Sequence, residues 1–409
     1  MMSKKTAIIF ILVVFLGALL ALIYFYFSFN TLSLPKVTPI TNTVDTYDPF
    51  GTKNVDTATI TNANTEATTT NNISPETILN KIRQISTEPI AGFSVTEDPK
   101  TKTAKIRYLL RANGNIYETY SDSAETKRLS NTTIPKVYEA NWLPDGLKLV
   151  IRYLKEDTDY IQTFSVKIRM EGGVEGKYLP EKISQMVISP TGTKIFYLVT
   201  GLNGSTGYTA LPDGSNKKMI FESPLIEWLV SWPKEETITL TTKASTNISG
   251  YLYFLNSQTG NSSRIIGSIN GLTTKTNKSA TEVLYSDSGR NTPRLYLLNI
   301  KKGESKLLPW NTFPEKCLFS NLDAKIIYCA VPKPFPDGNY PDTWYQGLVS
   351  FSDNIWMINT ETMASTLVSD LEKETANKID VIDMQIDQNS NYLYFINKTN
   401  LTFWSLKLK

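Results

Sequence analysis

The chain has 409 residues with 42 basic and 39 acidic side chains, two cysteines and no histidine. Without histidine it has no Ser-His-Asp or Cys-His triad and no histidine metal ligand or base, and two cysteines exclude a four-cysteine zinc site or a self-contained iron–sulfur cluster. A formal net charge of +3 leaves no electrostatic footprint for nucleic acid.

Lys4 and Lys5 open the chain and are followed by an uncharged apolar run from Ala7 to Phe29. About 23 residues at ~1.5 Å rise reach ~34 Å, enough to cross a hydrocarbon core. A cleaved signal peptide fits less well, because its apolar region is shorter and ends in small residues. This run ends instead in Tyr24-Phe25-Tyr26-Phe27-Ser28-Phe29, an aromatic belt suited to the headgroup level. The expectation is therefore a cytoplasmic tip over 1–5 and an uncleaved transmembrane anchor over 6–29. No charge follows the run until Lys36, so the positive-inside rule places the remainder of the chain outside the cytoplasmic membrane.

Residues 30–74 change abruptly to Thr, Asn, Pro and Asp, with Thr68-Thr69-Thr70-Asn71-Asn72 close to low complexity. Few apolar side chains are present to offset the entropy of ordering, so this segment reads as a disordered stalk. As a coil of roughly 45 residues it spans ~40 Å on average.

From residue 75 to 409 one pattern returns at roughly 42–50 residue spacing: an apolar strand, a turn, and a second strand rich in Tyr, Leu and Ile. Instances include Trp142-Leu-Pro-Asp-Gly-Leu-Lys with Leu149-Val-Ile-Arg-Tyr, Val187-Ile-Ser-Pro-Thr-Gly-Thr-Lys-Ile-Phe-Tyr-Leu and Leu318-Phe-Ser-Asn-Leu-Asp-Ala-Lys-Ile-Ile-Tyr. Third and fourth strands follow, as in Asn354-Ile-Trp-Met-Ile-Asn-Thr-Glu-Thr and Ser365-Thr-Leu-Val-Ser. Four short antiparallel strands per unit are the signature of propeller blades, and about seven units are present. The expected class is all-β, a propeller of about seven four-stranded blades, with a β-sandwich pair as the alternative. The last unit supplies only three strands. Lys81-Ile-Arg-Gln-Ile-Ser86 is the candidate for the fourth, closing the ring beside the C-terminal strand.

Ser189-Pro-Thr-Gly-Thr-Lys resembles the Ser-Pro-Asp-Gly-Lys strand pair of TolB-like and WD-type propeller repeats. Tyr208-Thr-Ala-Leu-Pro-Asp-Gly-Ser-Asn and Asn354-Ile-Trp-Met-Ile-Asn-Thr-Glu-Thr resemble their third strand and turn. The resemblance covers most of 78–409 and implies fold rather than function, since propellers host binding, scaffolding and catalysis alike. The Trp-Asp dipeptide and structural histidine of WD repeats are absent, so the resemblance points to a bacterial envelope propeller.

Two features are singled out. Cys317 and Cys329 flank the turn around Asp323 symmetrically, so pairing Ser320 with Ile326 puts the cysteines opposite each other, within reach of a disulfide. The longest insertion, from Pro332 to Leu348, carries Tyr340, Asp342, Trp344 and Tyr345. In the propeller family it would lie on the face of the blade-to-blade connections. Those four residues are candidates to stack on a sugar or anchor a peptide, the alternative being that Trp344 and Tyr345 fold back over the propeller's end. Asp387-Gln-Asn389-Ser-Asn391 begins a calcium-like spacing, but Tyr392 replaces the needed glycine and Lys398 the bidentate glutamate, so it reads as a tight turn. No catalytic, cofactor-binding or metal-ligating residue emerges. The functional expectation is a membrane-anchored, extracytoplasmic scaffold that binds an envelope protein or glycan. The alternative is a carboxylate-dependent glycan hydrolase or lyase working in the propeller channel.

Overall fold

The computed structural model describes residues 80–409, apart from 157, 170–172 and 290–291. The expected transmembrane anchor (6–29) and stalk (30–74) lie outside the described residues. Among the described residues no helix is long and apolar enough to cross a membrane.

Seven antiparallel four-stranded sheets follow one another along the chain. Blades 1 to 6 span 90–128, 137–178, 183–223, 228–270, 273–307 and 317–370, each with its strands in simple sequence order. Blade 7 takes three strands from 381–407 and its fourth from Ile82–Ser86, which pairs with Phe403–Lys407. The ring thus closes by the N-terminal strand, as the missing fourth strand in the sequence requires. That strand is also tied to both neighbours. Arg83 donates to the carbonyls of Tyr120 and Ser123 in blade 1, and Lys81 donates to the Val368 carbonyl in blade 6 at 2.7 Å.

Within a blade the first strand lies innermost and the fourth outermost. The outer strands carry the polar, exposed residues, as in Thr126–Arg128 and Glu304–Leu307. The second strands are the most apolar, for example Lys148–Leu154 and Tyr392–Asn397, because they are covered on both faces by adjoining blades. Burial between blades forms seven separate clusters, one per interface. Leu109, Ile116, Val137 and Ile151 join blades 1 and 2, while Phe93, Tyr108, Tyr394 and Phe403 join blades 1 and 7. Inner strands crowd near the axis. A Cβ at Gly92 would lie 2.2 Å from the Ala140 carbonyl oxygen, so glycine there lets blades 1 and 2 meet.

The alternation of strand direction sorts the loops onto two faces. Turns between first and second and between third and fourth strands share one, the turn face. Hairpins between second and third strands share the other, the connection face, with the links between blades. The strand Ile82–Ser86 runs from the turn face, so residue 80 joins the ring on that side.

In blade 6, Cys317 pairs with Cys329 and Ser320 N–H donates to the Ile326 carbonyl. The two sulfurs are bonded, with Cα atoms 4.0 Å apart, and both residues are fully buried between blades 5 and 6. Replacing both cysteines by alanine is expected to cost about 3 kcal/mol through lost restraint of the unfolded chain. A denaturant titration showing less than a third of that would count against the bridge as a staple.

Candidate functional site

The long insertion of blade 6 folds as a cap on the connection face. Pro332 ends the second strand, and a single helical turn, Asp342–Tyr345, re-aims the chain before Asp353–Asn359 resumes the sheet. Tyr340 and Trp344 are 1% and 3% exposed, packed with Phe313 and Phe351 in a cluster apart from the seven interfaces. Trp344 stacks on Phe313 with ring centroids 5.0 Å apart. Neither ring is open to a ligand.

The other two loop candidates are also engaged internally. The Asp342 carboxylate accepts from Thr246 N–H at 2.7 Å, Thr246 Oγ1 at 2.6 Å and Ser245 Oγ at 3.3 Å, all in the connection-face hairpin of blade 4. Burial works against its charge, but these bonds prevail and hold its pKa below the usual carboxylate value. Tyr345 donates its hydroxyl to Glu315, which sits in the 3₁₀ turn Pro314–Lys316 linking blades 5 and 6. The structure therefore brings the four residues together as a strap between blades 4, 5 and 6.

Beneath the strap lies a charged knot. Lys316 Nζ is 2.6 Å from Asp380 Oδ1, 2.7 Å from Asp353 Oδ2 and 2.9 Å from the Val381 carbonyl, with all three side chains fully buried. Asp380 also accepts the Trp344 indole N–H at 3.0 Å and the Phe351 N–H at 3.1 Å. One lysine thus holds the link before blade 7, the end of the cap and the start of the third strand of blade 6.

The central channel is the second feature. A cavity of about 540 Å³ is bounded by the inner strands of blades 1, 2, 5 and 7, including Ser94, Glu139, Asn141, Trp142, Lys275, Asp383 and Gln385. A second lobe of about 940 Å³ shares Lys275 and Gln385 and opens among turn-face residues such as Asn321 and Leu322. Asp383 occupies a bulge where the pairing of Val381–Ile386 slips between Ile382 and Gln385. Its φ of +51° is a left-handed conformation that aspartate tolerates better than most residues.

The narrow channel shifts several of these groups, although Asp383 is exposed to its water and Lys275 half-buried. Burial lowers the Lys275 pKa, against the pull of Asp383 and Glu315. Burial raises Asp383, with Lys275 opposing and Glu139 adding to it. Burial likewise raises Glu315, against the Tyr345 hydrogen bond, and Tyr345 itself is pushed well above the usual phenol range. Glu139 accepts from Arg152 at 2.8 Å and from Asn141 at 2.9 Å. Among the described residues no hydrogen bond or ion pair is made by the Lys275 ammonium or the Asp383 carboxylate. No group of three or more potential metal ligands occurs among the described residues.

Sequence reasoning did not assemble this channel set. Its one local signal is Asp383, which breaks the apolar alternation of Val381-Ile-Asp-Met-Gln-Ile386. The turn reading of 387–391 agrees with the structure, where Asp387 Oδ1 accepts from the N–H groups of Asn391 and Tyr392.

The third feature is an arc of exposed aliphatic side chains on the connection face: Leu202, Leu225, Ile226, Ile248 and Leu348. The loops that carry them adjoin in turn. Gly204 packs so closely on the Ser223 carbonyl that a Cβ would meet it, and Lys243 N–H donates to the Glu227 carbonyl. Thr246 bonds the Tyr340 carbonyl and Asp342, and Leu348 N–H donates to the Thr343 carbonyl. Leu147 and Leu322 stand apart on the turn face.

No family model matches the chain, and no curated protein matches it. Solved structures do. The chain is similar to an oligogalacturonate lyase in complex with manganese, at 10% identity over 78% of this chain and 97% of that one, TM-score 0.50. It is also similar to a puromycin hydrolase at 11% identity, covering 74% of this chain and 50% of that one, TM-score 0.50. TolB from Acinetobacter baumannii is 12% identical over 67% of this chain, TM-score 0.43. The chain spans 62% of TolB, less than two thirds of that protein's length. At these identities the likeness is one of fold, and the fold is a seven-bladed β-propeller.

Proposed function

We propose that the protein is a membrane-anchored propeller, held outside the cytoplasmic membrane by a flexible stalk, that binds an envelope protein through its connection face. The observation that carries this reading is the arc Leu202, Leu225, Ile226, Ile248 and Leu348, a run of aliphatic side chains on adjoining loops rather than scattered singly. Hydrogen bonds from Ser245 and Thr246 to Asp342 and the Tyr340 carbonyl fix the hairpin of Ile248 against the cap of Leu348, which lowers the ordering cost of binding there. The described chain enters the ring at residue 80 on the opposite face.

Photo-crosslinking in intact cells tests the proposal, with a reactive side chain placed at Leu202, Ile248 or Leu348 of the full chain and at Leu147 or Leu322 as turn-face controls. A discrete protein adduct from the arc positions alone, lost in a folded Leu225→Glu/Ile226→Glu variant, is the expected result. Adducts equally from both faces, or from neither, would overturn it.

A second reading, a carboxylate-dependent glycan hydrolase or lyase, is favoured by Asp383, which lines the channel with Lys275 and whose pKa is raised. Release of reducing ends or unsaturated products from an envelope glycan, abolished by Asp383→Asn, is its expected signature.

A further inference from the structure

We infer that the central channel holds a binding site for an uncharged oligosaccharide, built on Lys275 and Asp383 and entered from the turn face. The site is separate from the aliphatic arc and requires no turnover, so it stands or falls independently of either reading above.

The argument begins with hydrogen-bonding groups that the fold leaves unused. The Lys275 ammonium offers three donors and the Asp383 carboxylate several acceptors, and among the described residues neither makes a bond within the protein. Both line the channel cavity, Asp383 exposed and Lys275 half-buried, so their polar ends are open to a molecule that enters it. The bulge that carries Asp383 holds its backbone left-handed, a local strain sustained by the surrounding sheet. By contrast, Lys316, Arg152 and Glu139 are all matched to partners.

The composition of the wall then selects the chemistry. One free cation faces one free anion, and Glu139 is offset by Arg152, so this part of the channel carries little net charge. Ser94, Asn141 and Gln385 add hydroxyl and amide groups, and Trp142 adds an aromatic ring. Gln385 already gives an amide N–H to the Phe93 carbonyl at 3.3 Å, which leaves its carbonyl oxygen as an acceptor. Interspersed donors and acceptors beside an aromatic ring suit a molecule whose every hydroxyl both donates and accepts, and whose C–H face is apolar. A strongly anionic or cationic chain finds one of the two free charges opposing it at each step. The volume of about 540 Å³ lies in the ordinary range for small-ligand sites, about 300–1,000 Å³. The wider lobe of about 940 Å³ towards the turn face leaves room for further sugar units.

The test is calorimetric titration of the full-length chain in a detergent without a sugar headgroup. The probes are maltotetraose, cellotetraose and tetra-N-acetylchitotetraose, with tetragalacturonate and a glucosamine (chitosan) tetramer as anionic and cationic comparators. At least one neutral tetrasaccharide is expected to bind more tightly than both charged ones. Lys275→Met and Asp383→Asn, on different blades and free of internal partners, are each expected to weaken it about tenfold or more with an unchanged thermal midpoint. Ile248→Glu, on the arc, should leave the affinity as it is. Failure of every neutral probe at millimolar concentration, preference for a charged probe, or full affinity in both folded channel variants would overturn the inference. Cleavage of a bound neutral tetrasaccharide would support the site and the hydrolase reading together.

Discussion

Lys316→Met is expected to destabilise the protein by about 3–5 kcal/mol, because it strands two fully buried carboxylates, Asp353 and Asp380, without their shared cation. For a domain of this size that corresponds to a thermal midpoint lower by roughly 4–7 °C. A loss below about 1 kcal/mol would mean that water reaches the two acids, against the geometry. The knot also sets a pH dependence. Burial lifts the Asp353 pKa to about 6, Lys316 opposes it and the Asp380 charge adds to it. The folded state therefore holds a proton that the unfolded chain has released between about pH 4 and pH 6. The contribution of this group is fully present below that window and is lost as pH rises through it, on the order of 2 kcal/mol. Asp353→Asn, compared with the wild type across that range by denaturant titration, should remove this part of the slope. Parallel profiles would show that Asp353 does not titrate there.

Trp344→Ala is expected to cost a similar amount, about 3–5 kcal/mol, through the cavity it leaves beneath the cap. The indole fills the space between Phe313 and Phe351, and its N–H is one of the bonds that satisfy Asp380. Trp344→Phe keeps most of the packing and loses the donor, so it should cost about 1–2 kcal/mol. The pair separates packing from hydrogen bonding. Equal losses would show that the N–H to Asp380 dominates. This result bears on any binding experiment, because a Trp344 variant that loses a partner will have loosened the face that presents the aliphatic arc.

The blades could be read from the chain because each strand pair announces itself locally, by alternation broken at Pro, Gly, Asn and Asp. The closing strand was legible for the same reason: a three-strand unit at one end and an orphan strand at the other complete one sheet. The alignment of Cys317 with Cys329 followed from symmetry about one turn. The cap was harder. Tyr340 and Trp344 lie in a loop without periodicity, and nothing in their neighbours says whether a ring faces water or Phe313. The channel was not legible. Glu139, Lys275, Glu315 and Asp383 come from blades 2, 5 and 7 and the link between blades 5 and 6, and only closure of the ring brings them to one axis. The knot of Lys316, Asp353 and Asp380 escaped for the same reason, since three ordinary surface-type residues become interior ones only through the cap.

Entry of the chain through an outer strand has a mechanical consequence. If the chain is held by its N-terminus, as proposed above, a pull on the ring reaches the fold first at Ile82–Ser86. The load passes into the backbone bonds with Phe403–Lys407 and into the cross-braces from Lys81 and Arg83 to blades 6 and 1. The blades themselves lie downstream of that junction. Under tension this strand is the first link to yield, and peeling it away would open the circle between blades 7 and 1 while leaving the disulfide of blade 6 untouched.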